Sequence, residues 1–165
     1  MKQISKNTKH TEKIAKAFLN KLKPTKMSAT VVGLFGELGT GKTTFTQFIA
    51  KELKIKRKVN SPTFVIMKKY LLPLPRGSAR RARGSKPLLN PPLVRGGNFK
   101  FLFHLDAYRL KNEKELLHLG WEEIISNPEH LIFIEWPENV LKAMPKNFKL
   151  ISISHTKEGH RKFDF

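Results

Sequence analysis

The sequence contains no cysteine, few acidic residues and no long apolar run. The absence of cysteine excludes a disulfide framework, a cysteine-based zinc site and a thiol nucleophile, although it fits any compartment. No apolar stretch approaches the ~20 residues that span a bilayer. The basic start of the chain, MKQISKNTKHTEKIAKAF, lacks the continuous apolar segment of a signal peptide. We therefore expect a soluble, cytoplasmic protein that does not associate with membranes.

The balance of charge is strongly positive. Against 13 acidic residues stand 32 lysines and arginines, so the net charge is +19. Such an excess is typical of proteins that bind nucleic acid or another polyanion, but a lysine-rich solvated surface has the same composition. Hydrophobic residues make up 39% of the 165 residues, which predicts one globular domain over residues 1–165.

Residues 71–98 differ in composition from the rest of the chain. They contain five of the ten prolines, four glycines, six arginines and lysines, and no acid. Neither helical nor strand periodicity is sustained there, so we interpret the segment as an irregular, basic insertion between two strands. Removing its six positive charges from +19 leaves +13 on the other 137 residues, which are therefore basic by themselves.

Strand and helix patterns alternate outside this insertion. Helices are predicted at 11–22 and 42–53, and a short one within 113–125 that Gly120 ends. Strands are predicted at 29–35, 63–70, 99–106, 130–136 and 148–154, with an edge strand at 161–165. This alternation predicts an α/β sandwich whose central sheet is at least partly parallel.

The segment GELGTGKT, Gly36–Thr43, satisfies the pattern G-x-x-x-x-G-K-[ST] between a predicted strand and a predicted helix. Glycines let successive backbone N–H groups turn towards an anion, and the helix adds the positive end of its dipole. Lys42 can bridge the β- and γ-phosphates of a nucleotide, and the Thr43 hydroxyl can bind Mg²⁺. The residues predicted to bind the nucleotide here are Glu37, Leu38, Gly39, Thr40, Gly41, Lys42, Thr43 and Thr44.

Two carboxylates follow apolar strands and are candidates for the acid that a phosphate loop requires. Glu135 ends the run LIFIE, and Asp106 ends FLFHLD. A solvated carboxylate at a strand end is common, but two such acids among only 13 favour a function. With Lys42 they are the predicted catalytic residues, and with Thr43 the predicted Mg²⁺ ligands. Which acid orients water and which holds the metal stays open.

Two further segments carry polar side chains near these acids. HLDAYR, His104–Arg109, places His104 and Asp106 on the same face of a strand. NSPTF, Asn60–Phe64, is a turn that carries the hydroxyls of Ser61 and Thr63. In a phosphate-loop protein, such a segment can sense the γ-phosphate as a switch.

Together, GELGTGKTTF, SPTF, HLDAYRL and IEWPE, in that order, resemble the bacterial TsaE family, formerly called YjeE. The first motif is shared by many proteins, whereas H-x-D-x-Y-R and E-W-P are far more particular. The resemblance extends from the first helix to the strand FKLISIS and leaves out residues 71–98, which the family normally replaces with a short hairpin.

The resemblance implies a P-loop NTPase-like fold, a three-layer sandwich that binds ATP and Mg²⁺ and hydrolyses ATP weakly alone. It implies partnership with TsaD and TsaB in making tRNA threonylcarbamoyladenosine, with tRNA contacted indirectly through that complex. Lys42 and Thr43 match the family's phosphate-binding lysine and metal-binding threonine, and Asp106 its essential acid. Glu135 matches the Walker-B-type acid. Thr63 with its neighbours matches the first switch, and Trp136 the family's tryptophan at the cofactor site.

Three alternatives remain at this stage. A small-molecule kinase could use Arg80, Arg81 and Arg83 of the insertion as a phosphate-clamping lid. The domain could instead chiefly bind RNA through its charge. The sequence contains no RNA-recognition signature, however, so we expect at most weak, salt-sensitive affinity for tRNA. A GTPase is disfavoured because no [NT]-K-x-D motif follows the phosphate loop.

Overall fold

A computed structural model describes residues 1–73 and 99–165 of the protein. The strands are β1 (Lys2–Ser5), β2 (Thr30–Phe35), β3 (Met67–Leu71), β4 (Phe101–Asp106), β5 (His130–Glu135), β6 (Lys149–His155) and β7 (Arg161–Asp164). The helices are α1 (Thr8–Lys21), α2 (Lys42–Glu52), α3 (Glu113–Leu117) and α4 (Trp121–Ser126), with a 3₁₀ helix at Pro137–Ala143. Nearly all of the predicted insertion, including the arginines of the kinase-lid alternative, lies outside the described residues.

The strands form one mixed sheet in the order β1-β7-β6-β2-β5-β4-β3. The four central strands β6, β2, β5 and β4 run parallel to one another. On the two sides of this group, β3 pairs antiparallel with β4, β7 antiparallel with β6, and β1 antiparallel with β7. The prediction of an α/β fold with a partly parallel sheet is therefore confirmed.

Helices cover both faces of the sheet and enclose two apolar cores. Successive residues of β2 point to opposite faces, so that Val32 packs with α1 and α2 while Val31 packs with the shorter helices. On the first face, Phe45 of α2 is fully buried and meets Phe18 of α1 edge to face, with ring centroids 5.9 Å apart. On the second face, Trp121 is buried and its indole N–H donates to the carbonyl of Ala143. These layers hold the carboxyl ends of the parallel strands at one edge.

The predicted strand at 63–70 begins later than expected, at Met67. The carbonyl of Pro62 accepts hydrogen bonds from the N–H groups of Val65 and Ile66, which bends the chain into a turn. Ile66 completes this turn with a φ of 63°. Thr63 therefore lies in a turn at the sheet's edge, which frees its hydroxyl for contacts with other segments.

The prediction of an edge strand at 161–165 is wrong in one respect. β7 lies inside the sheet, because β1 pairs with its outer side from Lys2 opposite Asp164 to Ser5 opposite Arg161. The segment KQIS of β1 is too short and too polar to show a strand pattern by itself. Its strand conformation depends on the pairing partner.

The short helix predicted before Gly120 is α3, whereas α4, which begins directly after Gly120, was not predicted. This glycine ends the turn after α3 and then precedes α4 with a φ of 76°, a conformation that glycine adopts without steric cost. The 3₁₀ helix at Pro137–Ala143 was not predicted. Pro137 stands at its first turn, where the missing N–H of proline needs no partner.

Candidate active site

The segment Gly36–Thr43 forms a loop that joins β2 to the start of α2. Gly36 and Gly41 have φ values of 138° and 102°, which favour glycine. A Cβ on Gly36 would lie 2.1 Å from the carbonyl oxygen of Ile153 on β6. The loop therefore depends on glycine both for its turns and for its close approach to the sheet.

Lys42 is held inside this loop and is only 4% exposed. Its Nζ donates to the carbonyl oxygens of Gly36 and Glu37, at 2.5 and 3.0 Å, and lies 3.8 Å from the centre of the Trp136 ring. Burial lowers the pKa of Lys42, and the nearby carboxylate of Glu135 opposes this shift. The ammonium group is therefore already positioned at the loop, where an anion would be a stronger hydrogen-bond acceptor than the two neutral carbonyls.

The two predicted acids meet at the carboxyl edge of the sheet. Asp106 is in register with Glu135 on the neighbouring parallel strand, and both carboxylates are buried. The Thr43 hydroxyl contacts both oxygens of Glu135, Oε1 at 2.8 Å and Oε2 at 3.1 Å. The phosphate loop and the end of β5 are therefore joined through the hydroxyl that sequence analysis assigned to the metal.

Asp106 contacts the predicted switch segment. Its Oδ2 accepts hydrogen bonds from the hydroxyls of Thr63 and Ser61, the latter at 3.4 Å, and its Oδ1 accepts from the backbone N–H of Tyr108 at 3.0 Å. The hydroxyls of Ser61 and Thr63 are 2.5 Å apart. The switch segment is therefore hydrogen-bonded to Asp106, whereas the phosphate loop is hydrogen-bonded to Glu135.

His104 is completely buried beside this pair of acids. Its Nε2 lies 2.7 Å from Glu135 Oε1, and its Nδ1 has no hydrogen-bond partner among the described residues. A neutral ring with its proton on Nε2 satisfies the one contact that exists and leaves a bare acceptor rather than an unpaired N–H. His104 and Thr43 therefore contact the same oxygen of Glu135, Oε1.

These residues line one cleft of about 290 Å³ at the carboxyl edge of the sheet. Trp136 borders it in a left-handed conformation, with a φ of 57°, and its ring lies 5.1 Å from that of Tyr108. The lining residues are Leu38, Gly39, Gly41, Lys42, Thr43, Thr44, Ser61, Thr63, Asp106, Tyr108, Glu135 and Trp136. Strain of this kind in a non-glycine residue is concentrated at functional sites.

Two predicted nucleotide-binding residues, Glu37 and Thr40, do not line the cleft. The carbonyl of Glu37 accepts from Lys42 and from the buried Thr40 hydroxyl, so both residues stabilise the loop internally. Sequence reasoning missed Arg161, whose Nε donates to the Thr40 carbonyl at 2.9 Å. It also assigned no role to Tyr108, although HLDAYR contains it. Arg161 lies 121 residues beyond Thr40, and no local pattern marks it.

The donor set of the cleft fits a magnesium ion. Among the described residues, no group of three or more histidines and carboxylates could hold a metal by itself. Mg²⁺ in phosphate-transfer sites takes one or two protein oxygens and completes its shell with phosphate oxygens and water. The Thr43 hydroxyl and the Glu135 carboxylate, already in contact, are oxygen donors of this kind.

The sheet, the glycine loop before α2 and the acids beside it define an α/β protein with a P-loop NTPase-like fold. A family model described as "Threonylcarbamoyl adenosine biosynthesis protein TsaE" matches residues 5–77 and 93–163. The chain therefore belongs to the TsaE family, which confirms the resemblance found in its motifs. The match passes over residues 78–92, inside the predicted insertion.

Individual relatives agree with this assignment. The tRNA threonylcarbamoyladenosine biosynthesis protein TsaE of Bacillus subtilis is 32% identical over 168 residues, which cover 100% of this chain and 86% of that protein. The protein of the same name in Rickettsia typhi is also 32% identical, over 95% of this chain and 94% of that protein. The crystal structure of Bacillus subtilis YdiB superposes with a TM-score of 0.67 at 26% identity, over 99% of this chain and 82% of that one. Within the part of the chain that the structure describes, each helix is too short or too polar to span a bilayer.

Proposed function

We propose that this protein hydrolyses ATP, with Mg²⁺, as a component of tRNA threonylcarbamoyladenosine biosynthesis. One observation carries the proposal: the phosphate loop, the ends of β4 and β5 and the switch segment meet in one cleft through direct hydrogen bonds. The names of the TsaE relatives supply the pathway. A tRNA-modification role implies a cytoplasmic location.

The loop binds the phosphate chain. Backbone N–H groups of Leu38–Thr44 and the positive end of the α2 dipole attract the negative oxygens. The buried Lys42 ammonium exchanges its two carbonyl acceptors for β- and γ-phosphate oxygens, which are stronger, charged acceptors. Thr44 also lines the cleft and contacts the α-phosphate. The choice of adenine rests on the family, since no motif here reads a base.

We assign different roles to the two acids on the basis of their contacts. Glu135, already bonded to Thr43, holds Mg²⁺ with that hydroxyl, and His104 keeps its Oε1 in place. Mg²⁺, when bound, neutralises charge on the phosphate oxygens during transfer. Asp106, which faces the switch hydroxyls instead of the loop, orients the attacking water and accepts its proton. Ser61 and Thr63 respond to the γ-phosphate because they share Asp106 with that water.

The proposed partner is the complex of TsaB and TsaD, through which tRNA is contacted indirectly. Large apolar side chains are exposed around the cleft: Leu38 on the loop is 78% exposed, and Phe64 next to Thr63 is 84% exposed. The Arg109 guanidinium lies 4.7 Å from the Phe64 ring. Because both side chains stand beside the cleft, they are available for contact with a partner protein. Their position on the loop and switch supports coupling between ATP turnover and docking.

A reconstitution tests the proposal. Cognate TsaB and TsaD are mixed with tRNA, ATP, threonine and bicarbonate, and modified nucleoside and released phosphate are measured over many turnovers. We expect modification beyond the first cycle to require this protein and to stop with Lys42→Ala. The matched control Lys142→Ala changes an exposed lysine outside the cleft, so it should behave as wild type.

The two readouts separate the parts of the proposal. Multiple turnover that proceeds equally well without this protein would contradict the pathway role. Modification that depends on the protein without any release of phosphate would instead contradict ATP hydrolysis.

A further inference from the structure

A second concave surface lies beyond the end of α2, formed by residues outside the catalytic cleft. This surface, the basic groove, has a volume of about 460 Å³ and is lined by five cationic side chains. They are Lys51, Lys54, Lys56, Arg57 and Lys58. Gln47, Ala50, Ile55 and Val59 are its other lining residues in the described part of the chain, where none of the lining side chains is acidic or aromatic.

The backbone of the basic groove is anchored at both ends. After α2, Lys54 turns the chain with a φ of 59°, and the N–H of Ile55 donates to the carbonyl of Ala50 at 3.0 Å. Ile55 packs against the core. Val59 is buried, and its carbonyl accepts from Gln47 Nε2 at 2.9 Å. The three residues between these anchors are all cationic and exposed, so the fold displays Lys56-Arg57-Lys58 as a fixed row.

Four of the five cations in the groove have no acidic partner. Lys51 pairs with Glu12 at 2.6 Å. Within residues 1–73 and 99–165, the other four side chains have no carboxylate within the 4.0 Å that defines an ion pair. Unpaired cations in a concave surface sum their fields and attract an extended polyanion.

We propose that the basic groove binds the phosphate backbone of RNA. Several cations on one concave surface can contact the phosphates of a strand that lies across it, and contacts of this kind provide affinity that falls steeply with salt. Without aromatic side chains in the groove, bases have no surface on which to stack, so binding is independent of sequence. This binding site is distinct from the nucleotide cleft and adds a direct RNA contact to the indirect one above.

Binding of a fluorescently labelled tRNA transcript, measured by anisotropy without ATP over a range of salt concentrations, tests this proposal. The groove variant combines Lys54→Gln, Lys56→Gln, Arg57→Gln and Lys58→Gln. The matched control removes four lysines that are exposed and that also have no carboxylate partner among residues 1–73 and 99–165. It combines Lys111→Gln, Lys114→Gln, Lys146→Gln and Lys157→Gln. Both variants lower the net charge by four, so they differ only in where the charge is removed.

We expect the groove variant to bind tRNA about tenfold more weakly than the wild type. The slope of log K against log salt should become less steep by about three. The control variant should lose less than about threefold in tRNA affinity. An unrelated RNA of equal length should bind the wild type equally well. Equal losses in the two variants, or none in the groove variant, would overturn the proposal. Normal RNA binding combined with lost binding to TsaB and TsaD would assign the groove to an acidic protein surface instead.

Two further measurements keep the result interpretable. Thermal melts and phosphate release establish that both variants are folded, since neither changes a residue of the cleft. If the fourfold groove variant does not fold, Lys56→Gln and Arg57→Gln are tested singly, and each should lower the salt slope by about one. Because no ATP is present in the binding assay, its outcome is independent of the proposed hydrolysis.

Discussion

At the residue scale, Glu135 is the side chain on which the candidate site depends most. Its Oε1 is contacted by both Thr43 and His104, so the phosphate loop and the interior of β4 converge on one buried carboxylate. A group with this many fixed partners has little freedom to move when a ligand binds. Its charge, rather than its shape, is therefore the property that substitution should examine.

Glu135→Gln keeps the size of the side chain and removes its charge. We expect ATP hydrolysis in the reconstituted system to fall at least about 100-fold, because a neutral amide is a poor ligand for Mg²⁺. Phosphate release and dependence on Mg²⁺ concentration measure the effect. Glu122→Gln, which changes an exposed acid on α4 outside the cleft, is the control and should retain full activity. Glu135→Gln with more than half of the wild-type rate would remove Glu135 from the mechanism.

Gly36 makes a separate prediction about stability. Gly36→Ala places a methyl group 2.1 Å from the Ile153 carbonyl at a φ of 138°, so the loop and β6 must move apart. We expect a loss of about 2–4 kcal/mol in the free energy of unfolding, measured by denaturant titration without nucleotide. Gly39→Ala is the control: it has a positive φ but nothing within 4 Å of its added Cβ. It should cost about 1–2 kcal/mol. Equal losses at the two positions would show that Ile153 is not the cause.

At the element scale, β3 and β4 explain how the chain tolerates the segment between them. The two strands are antiparallel neighbours, with Leu71 opposite Phe101, and the N–H of Leu72 donates to the carbonyl of Lys100 at 2.8 Å. The ends of residues 74–98 are therefore attached to adjacent positions of one ladder. The family model also passes over part of this segment.

Replacing residues 74–98 by a short turn that contains Asn-Gly should preserve the fold, since such a turn joins adjacent antiparallel strands. We expect stability to rise by about 1–2 kcal/mol from the shorter loop closure and ATP hydrolysis to stay unchanged. Denaturant titration and phosphate release measure both. A scrambled segment of the same length and composition is the control and should match the wild type. Loss of hydrolysis in the shortened protein alone would reopen the kinase-lid alternative.

At the scale of the whole molecule, the net charge of +19 works against compactness. The described part contains five ion pairs between a lysine and a carboxylate, so most of its lysines and arginines have no acidic partner there. Like charges repel in the folded state more than in the expanded chain, and salt screens this repulsion.

We expect the Tm to rise by several degrees when NaCl increases from about 10 mM to about 0.5 M, because the Debye length falls well below the spacing of surface charges. Calorimetry measures it. The variant with Lys111, Lys114, Lys146 and Lys157 changed to glutamine carries four fewer charges, so its increase should be smaller. A Tm that stays constant or falls as the salt concentration rises would show that repulsion between like charges does not destabilise the folded state.

The elements that sequence alone determined are those with local physical causes. The phosphate loop follows from glycines and a lysine at set spacings, and the strands before Asp106 and Glu135 follow from unbroken apolar runs. Ser61 and Thr63 were recognisable because Pro62 between them favours a turn. Local chemistry was sufficient to select each of these residues, and with them the family.

Only the tertiary structure decided which of these elements meet. It placed β4 beside β5, so that Asp106 stands opposite Glu135, and it brought Arg161 to the Thr40 carbonyl. It also placed β1 outside β7, against the prediction of a final edge strand. Strand order depends on how the whole chain buries its two apolar faces, a long-range balance that no local pattern contains.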